Sequence, residues 1–275
     1  MQTWGIADFS QIRSSIVPSF QGLLRFLTFP ALFDATTYLT RASDFTSNAN
    51  TNFFLCSFWF NISSNSSGAG VSKIIYVNSS DFGTEGTVSV VFSGASGRIS
   101  VNGFNSTAFV PVFSAQLGTT AANSFSSVSN LGWHNVLVSV SATGSRFYAY
   151  IDNVAVTPTS TTVTALTIDY TRTEHQFGSG TSSGKSLGLV NIDIAQFYLN
   201  TQSYLDLSQS SNRLLFRTQS GGPADMGASG ATPTASSPMI YLTGPASIWN
   251  NNVGYGGAFT VAAGALTNST TVPSG

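Results

Sequence analysis

The chain has 275 residues, of which 42% are hydrophobic and only 8% charged, with a formal net charge of −1. Soluble domains ordinarily carry about 25% charged residues, so the surface must be polar but nearly uncharged, supplied by Ser, Thr, Asn and Gly. The 21 Phe give enough apolar volume for a large core and argue against disorder. No basic cluster provides the footprint of nucleic-acid binding, and no apolar run reaches the ~20 residues of a membrane helix. Cys56 stands alone, which excludes an intrachain disulfide and a Cys-based zinc site. Met1-Gln2-Thr3-Trp4-Gly5 has neither a basic nor a long apolar leader region, so synthesis in a cytoplasm is the expectation.

Residues 1–34 read as an N-terminal arm. Ile12, Ile16, Phe20 and Leu23 recur at three- and four-residue spacing, interrupted by Pro18. From Ala35 to residue 203 period-2 strands dominate. The segment Phe53 to Phe60 is apolar on both faces and reads as a central strand. Shorter strands are expected at Val71–Val77, Thr87–Phe92 and Arg98–Val101, with Gly/Ser turns between them. A hairpin joins Trp133–Val140 to Arg146–Ile151, and Asp152-Asn153 forms a second tight turn, because both residue types tolerate positive φ. A long strand follows over Leu187–Leu199. Within 204–275 one short helix is expected, capped by Asp206 or Ser208 with Leu214, Leu215 and Phe216 buried. The remainder is a loop-rich extension with apolar anchors at Trp249 and Tyr255. The fold class is therefore all-β, an antiparallel sandwich or barrel. The middle segment is expected to close its own core. The two ends, which cannot offset their ordering entropy alone, are expected to lie on the sandwich or on neighbouring chains.

Several segments resemble known proteins. Tyr38-Leu39-Thr40-Arg41-Ala42, Ser57-Phe58-Trp59-Phe60, Trp133-His134-Asn135-Val136 and Tyr148-Ala149-Tyr150-Ile151-Asp152-Asn153 resemble the concanavalin A-like, laminin-G-like domain, with Asn153 where that family usually has Gly. The resemblance implies a two-sheet antiparallel jelly-roll sandwich. Tyr204-Leu205-Asp206-Leu207, Gly227-Ala228-Ser229-Gly230, Asn252-Val253-Gly254 and Gly256-Gly257-Ala258-Phe259-Thr260 are similar to the C-terminal part of sandwich proteins of tailed bacteriophages and prophages. That second resemblance implies a non-enzymatic virion structural protein, a capsid decoration or a tail or fibre component, made in the bacterial cytoplasm and located in the virion. Its implied partners are other virion proteins and further copies of itself, as a homo-oligomer with a trimer favoured by analogy. The alternative is a lectin-like adhesin that recognises host-surface glycan. Neither reading involves nucleic acid or a membrane.

Chemistry-bearing residues are sparse. Glycosidases need a carboxylate pair across the scissile bond, and the chain has just two Glu, Glu85 and Glu174, in loop-like contexts. His134 reads as a hydrogen-bonded structural residue on its strand, and His175 as part of a polar loop. No nucleophile motif accompanies the many Ser. Catalytic, cofactor and metal residues are therefore assigned as none. Calcium, which laminin-G-like domains often carry, is the minority expectation, because Asp81, Asp152, Asp169 and Asp193 are scattered singly. Trp59 and Trp133 read as core. Ile12, Ile16, Phe20, Leu23, Trp249 and Tyr255 are the candidate partner contacts, with Trp249 also able to pin the tail onto the sandwich.

Overall fold

Alternating strands become two stacked antiparallel sheets. A computed structural model describes residues 31–33, 37–62, 72–78, 87–93, 97–105, 110–118, 132–159, 161–178, 181–182, 185–186, 192–262 and 264–274. The strands in chain order are β1 (Ala31–Phe33), β2 (Leu39–Arg41), β3 (Phe53–Ile62), β4 (Ser72–Val77), β5 (Val88–Ser93), β6 (Arg98–Asn105), β7 (Val110–Leu117), β8 (Gly132–Ser141) and β9 (Arg146–Ile151). There follow β10 (Val154–Ala155), β11 (Thr161–Val163), β12 (His175–Phe177), β13 (Thr181–Ser182), β14 (Lys185–Ser186), β15 (Ile192–Asn200), β16 (Ile240–Leu242), β17 (Thr260–Val261) and β18 (Thr267–Asn268). Among the described residues the first sheet has the order β10-β9-β8-β3-β15-β1-β18, and the second β11-β7-β6-β5-β4-β12-β2-β17; β13 and β14 pair apart.

The central position expected for β3 is found. It lies between β8 and β15, and its apolar residues are buried on both sides. Phe54, Cys56, Phe58 and Phe60 enter the inter-sheet core, where Phe54 meets Phe113 with ring centroids 4.8 Å apart and Phe177 meets Phe197 edge-on at 4.8 Å. Gly103 faces Phe113 across the β6–β7 ladder; a Cβ there would sit 2.3 Å from the ring, so only glycine lets the ring lie over the strand. Burial of Cys56 in this core pushes its thiol pKa well above the ordinary range, which leaves it an inert packing group.

The C-terminal extension is built into both sheets. In the first sheet β1 and β16 share one side of β15, pairing at Ile192–Ile194 and Phe197–Leu199 on either side of a bulge, where Gln196 adopts a φ of 50°. β18 pairs with β1, and β17 extends the second sheet beside β2. Met239, Ile240, Leu242, Trp249, Phe259 and Leu266 are buried in the inter-sheet core. A second apolar layer covers the outer face of the first sheet, with Leu207, Phe216, Met226 and Tyr241 packed on Leu55, Leu137 and Tyr198. The sheets thus draw on residues outside 35–203: Ala31–Phe33 forms a ladder with β15, and side chains of the extension enter the inter-sheet core, strand contributions that the sequence pattern leaves unmarked. The reason is that period-2 patterning marks only long strands; β16, β17 and β18 are two or three residues long and carry no readable period.

Other local expectations shift as well. The helix α1 (Ser210–Arg213) is one turn long, and Gln209 at its N-cap makes no side-chain cap. Asp206 instead accepts from the backbone N–H and hydroxyl of Ser208, while Leu214 is 44% exposed and Phe216 is the buried member. The hairpin turn behaves as expected, with Asp152 and Asn153 at φ 51° and 65°. β7 has no counterpart in the sequence reading because Pro111 argues against a strand. It is tolerated there beside a register shift after Gly103.

The motif Asn252-Val253-Gly254 has a packing explanation. Asn252 is buried with a φ of 39°; its Oδ1 accepts from the N–H of Tyr241 and Gly254, and its Nδ2 donates to the carbonyls of Met239 and Gly257. A Cβ on Gly254 would lie 2.6 Å from the Pro238 carbonyl oxygen and 2.8 Å from that of Met239, both rigid backbone. Gly254→Ala is therefore expected to cost about 1–3 kcal/mol, checked by urea unfolding. An unchanged midpoint would show that this turn moves freely.

Candidate binding surface

The residues singled out from sequence disperse when folded. Glu174 is exposed, while Glu85 and Asp81 lie outside the described residues. His134 hydrogen-bonds through Nδ1 to Asp152 Oδ2 at 2.6 Å, and Asp152 Oδ1 accepts from the Asn135 N–H at 2.9 Å. These bonds staple the Trp-His-Asn-Val strand to the Asp-Asn turn, which is a structural role. His175 lies in β12 rather than in a loop and is fully buried. Burial lowers its pKa to about 3, with a backbone hydrogen bond at Arg172 opposing and nearby Arg41 reinforcing the shift. The singly placed carboxylates make protein contacts: Asp169 accepts from Thr171 and pairs with Arg172 at 3.1 Å, and Asp193 accepts from Asn61 and Ser269. Among the described residues no three His, Cys, Asp or Glu side chains come together.

The candidate contacts need similar revision. Trp249 is 1% exposed, its Nε1 donates to the Gly244 carbonyl, and its ring meets Phe177 edge-on. It pins the extension and presents nothing to a partner, because an indole in a loop this close to the sandwich loses most water contact by turning inward. Tyr255 is half-buried, with its hydroxyl against that of Thr201. Ile12, Ile16, Phe20 and Leu23 lie outside the described residues. Trp133 is not core: it is half-buried on the outer face of the first sheet, donating to Thr271 of the tail. The extension thus occupies much of that outer face.

The outer face of the second sheet is different. Register places one residue from each of its strands in a single row: Thr260, Thr40, Gln176, Val77, Ser89, Asn102, Ser114 and Thr162. The middle of the row is buried, but Asn102 and Ser114 are half-buried and Thr162 is exposed. Ser114 Oγ donates to Asn102 Oδ1 at 2.8 Å and Asn102 Nδ2 donates to Ser89 Oγ at 3.1 Å, which fixes the amide's orientation. The neighbouring row adds Ser100 opposite Gln116, whose Oε1 accepts from Arg98 at 3.2 Å. The patch spans three strands and two rows, about 10 Å by 7 Å, and offers donors and acceptors almost without charge. Sequence reading missed it, because polar residues at alternate strand positions read only as a solvated face.

The described strands make an antiparallel two-sheet jelly-roll sandwich. No family model matches the chain, and no curated protein matches its sequence. Solved structures do match. A candidate carbohydrate-binding protein from Bacteroides ovatus aligns with a TM-score of 0.57 at 9% identity, over 90% of this chain and 61% of that one. A heptameric SAP-like pentraxin from Limulus polyphemus gives 0.48 at 9% identity, over 88% and 94%. The LG4-5 domains of mouse laminin alpha1 give 0.44 at 14% identity, over 66% and 45%. The chain spans less than two thirds of the Bacteroides protein and of the laminin fragment. At these identities the likeness is one of fold.

Proposed function

We propose that the chain is a non-enzymatic glycan-binding module that takes an uncharged saccharide on the outer face of its second sheet, along β6, β7 and β11. The observation that carries this reading is the open grid of Ser100, Asn102, Ser114, Gln116 and Thr162, in which hydrogen bonds preorient the side chains of Asn102, Ser114 and Gln116. Preorganised amides and hydroxyls match sugar hydroxyls without a charge to desolvate. The fold shared with a candidate carbohydrate-binding protein supports the same reading. Asn102→Ala and Gln116→Ala should each weaken retention of a neutral oligosaccharide about three- to ten-fold, measured by titration after a glycan array identifies the ligand. Absence of any retained neutral glycan, or unchanged affinity in both variants, would remove the basis of the proposal.

A virion structural role is the second reading, favoured by the 8% charged composition, since a weakly self-repelling surface suits dense packing against copies and other chains. In that setting the module is carried on a particle and the two roles coexist. A particle map lacking density for this chain would count against it.

A further inference from the structure

Beyond that face, two of the chain's eight arginines line one shallow depression on the opposite sheet, between β8, β9 and the α1 segment. Its floor is Asn135, Leu137 and Tyr150 of the first sheet, and its wall is Arg213, Arg217 and Thr218. Arg213 is held firmly: Nε donates to Asn153 Oδ1 at 2.6 Å, Nη1 donates to the carbonyls of Leu207 and Ser208, and the guanidinium lies 4.5 Å over the Tyr150 ring. Arg217 donates through Nε to the Gly221 carbonyl, and its guanidinium sits 5.9 Å from the ring of Trp59, the cross-strand neighbour of Asn135. Among the described residues neither arginine has a carboxylate within ion-pair distance. Asp152, beside Asn153 in the turn, is committed to His134 and to the Asn135 N–H.

Two half-buried guanidiniums without a counter-ion among the described residues favour an anion; Arg213 keeps Nη2 free of the bonds above, and Nη1 and Nη2 of Arg217 offer a fork that matches a planar carboxylate. The enclosed part of the depression is small, with room for about one water-sized group such as a single carboxylate oxygen, so the rest of a ligand must lie at the open mouth. There Leu214, 44% exposed, offers an apolar edge, and Asn153 and Thr218 offer polar groups. A pyranose has such an apolar face and such hydroxyls. We infer that this depression is a second, acid-selective subsite that binds the carboxylate of an acidic sugar residue through Arg213 and Arg217.

The test titrates the full chain with sodium methyl glucuronoside, methyl glucoside and sodium sulfate, followed by calorimetry. The glucuronoside should bind saturably and at least ten-fold more tightly than the glucoside or sulfate. Arg217→Gln should weaken it about ten-fold. Asn153→Asp, which keeps the acceptor for Arg213 and tolerates the turn's positive φ but adds a negative charge, should do the same. Both variants should leave neutral oligosaccharide binding on the second sheet unchanged, so failure here and failure of the proposed function are read separately. Equal binding of glucuronoside and glucoside, displacement by sulfate at equal concentration, or indifference to both substitutions would each overturn the inference.

Discussion

A chain ending at residue 203 is expected to show no cooperative unfolding transition. The deletion removes Leu207, Phe216, Met226, Met239, Ile240, Tyr241, Leu242, Trp249, Phe259 and Leu266, all buried. Full burial of one large apolar side chain contributes about 1.5–3 kcal/mol, so these ten represent roughly 15–30 kcal/mol. A whole domain is stable by only about 5–15 kcal/mol. The cut also strips β16 from β15 and β17 from β2, leaving ladder groups unpaired in a core strand. Thermal melts by circular dichroism and the dispersion of amide signals measure the outcome. A sharp two-state melt from the fragment would mean that the extension only decorates the sandwich. Trp249→Ala in the full chain is the graded version, with an expected loss of about 3–5 kcal/mol.

The second large effect is acid sensitivity through His175. Its ring is fully buried against Phe45 at a centroid distance of 4.0 Å; Nδ1 faces the Tyr76 hydroxyl at 3.1 Å and Nε2 lies 4.0 Å from Asp44 Oδ1. Burial holds its folded pKa at about 3, against about 6.5 for the unfolded chain. Above pH 6.5 both states are neutral and the residue contributes no pH dependence. Below it the unfolded chain binds a proton that the folded chain refuses, so stability falls with decreasing pH until about pH 3, by up to about 1.4 kcal/mol per unit. The accumulated loss is on the order of 5 kcal/mol. Carboxylates also titrate over the lower half of this window, so the informative quantity is a difference. His175→Phe, which suits the aromatic surroundings, should flatten the slope of unfolding free energy between pH 6.5 and 5, where carboxylates contribute little. Identical slopes in the two proteins would mean that the imidazole is protonated in the fold.

Parts of the candidate sites were legible and parts were not. The His134–Asp152 staple follows from a strand and a turn that the sequence marks clearly, so both partners were in view. Asn102, Ser114 and Gln116 belong to strands whose presence or extent depends on partners: β6 was read only as far as Val101, and β7 was hidden by Pro111. Arg213 ends a one-turn helix and Arg217 follows it, and they approach Tyr150 and Trp59 from more than fifty residues away. No local pattern records such a meeting.

The sequence by itself determined the all-β class, the double-sided burial of β3, the hairpin from β8 into β9 and the positive-φ turn at Asp152-Asn153. Each depends on interactions between residues close along the chain: period-2 alternation, turn chemistry and the scarcity of charge. Tertiary structure alone decided that the C-terminal extension completes both sheets, that Trp249 faces inward, that His175 is buried and neutral, and which polar residues share a row. Those outcomes depend on which distant strands pair and in what register, and a shift of one residue would move every side chain to the other face.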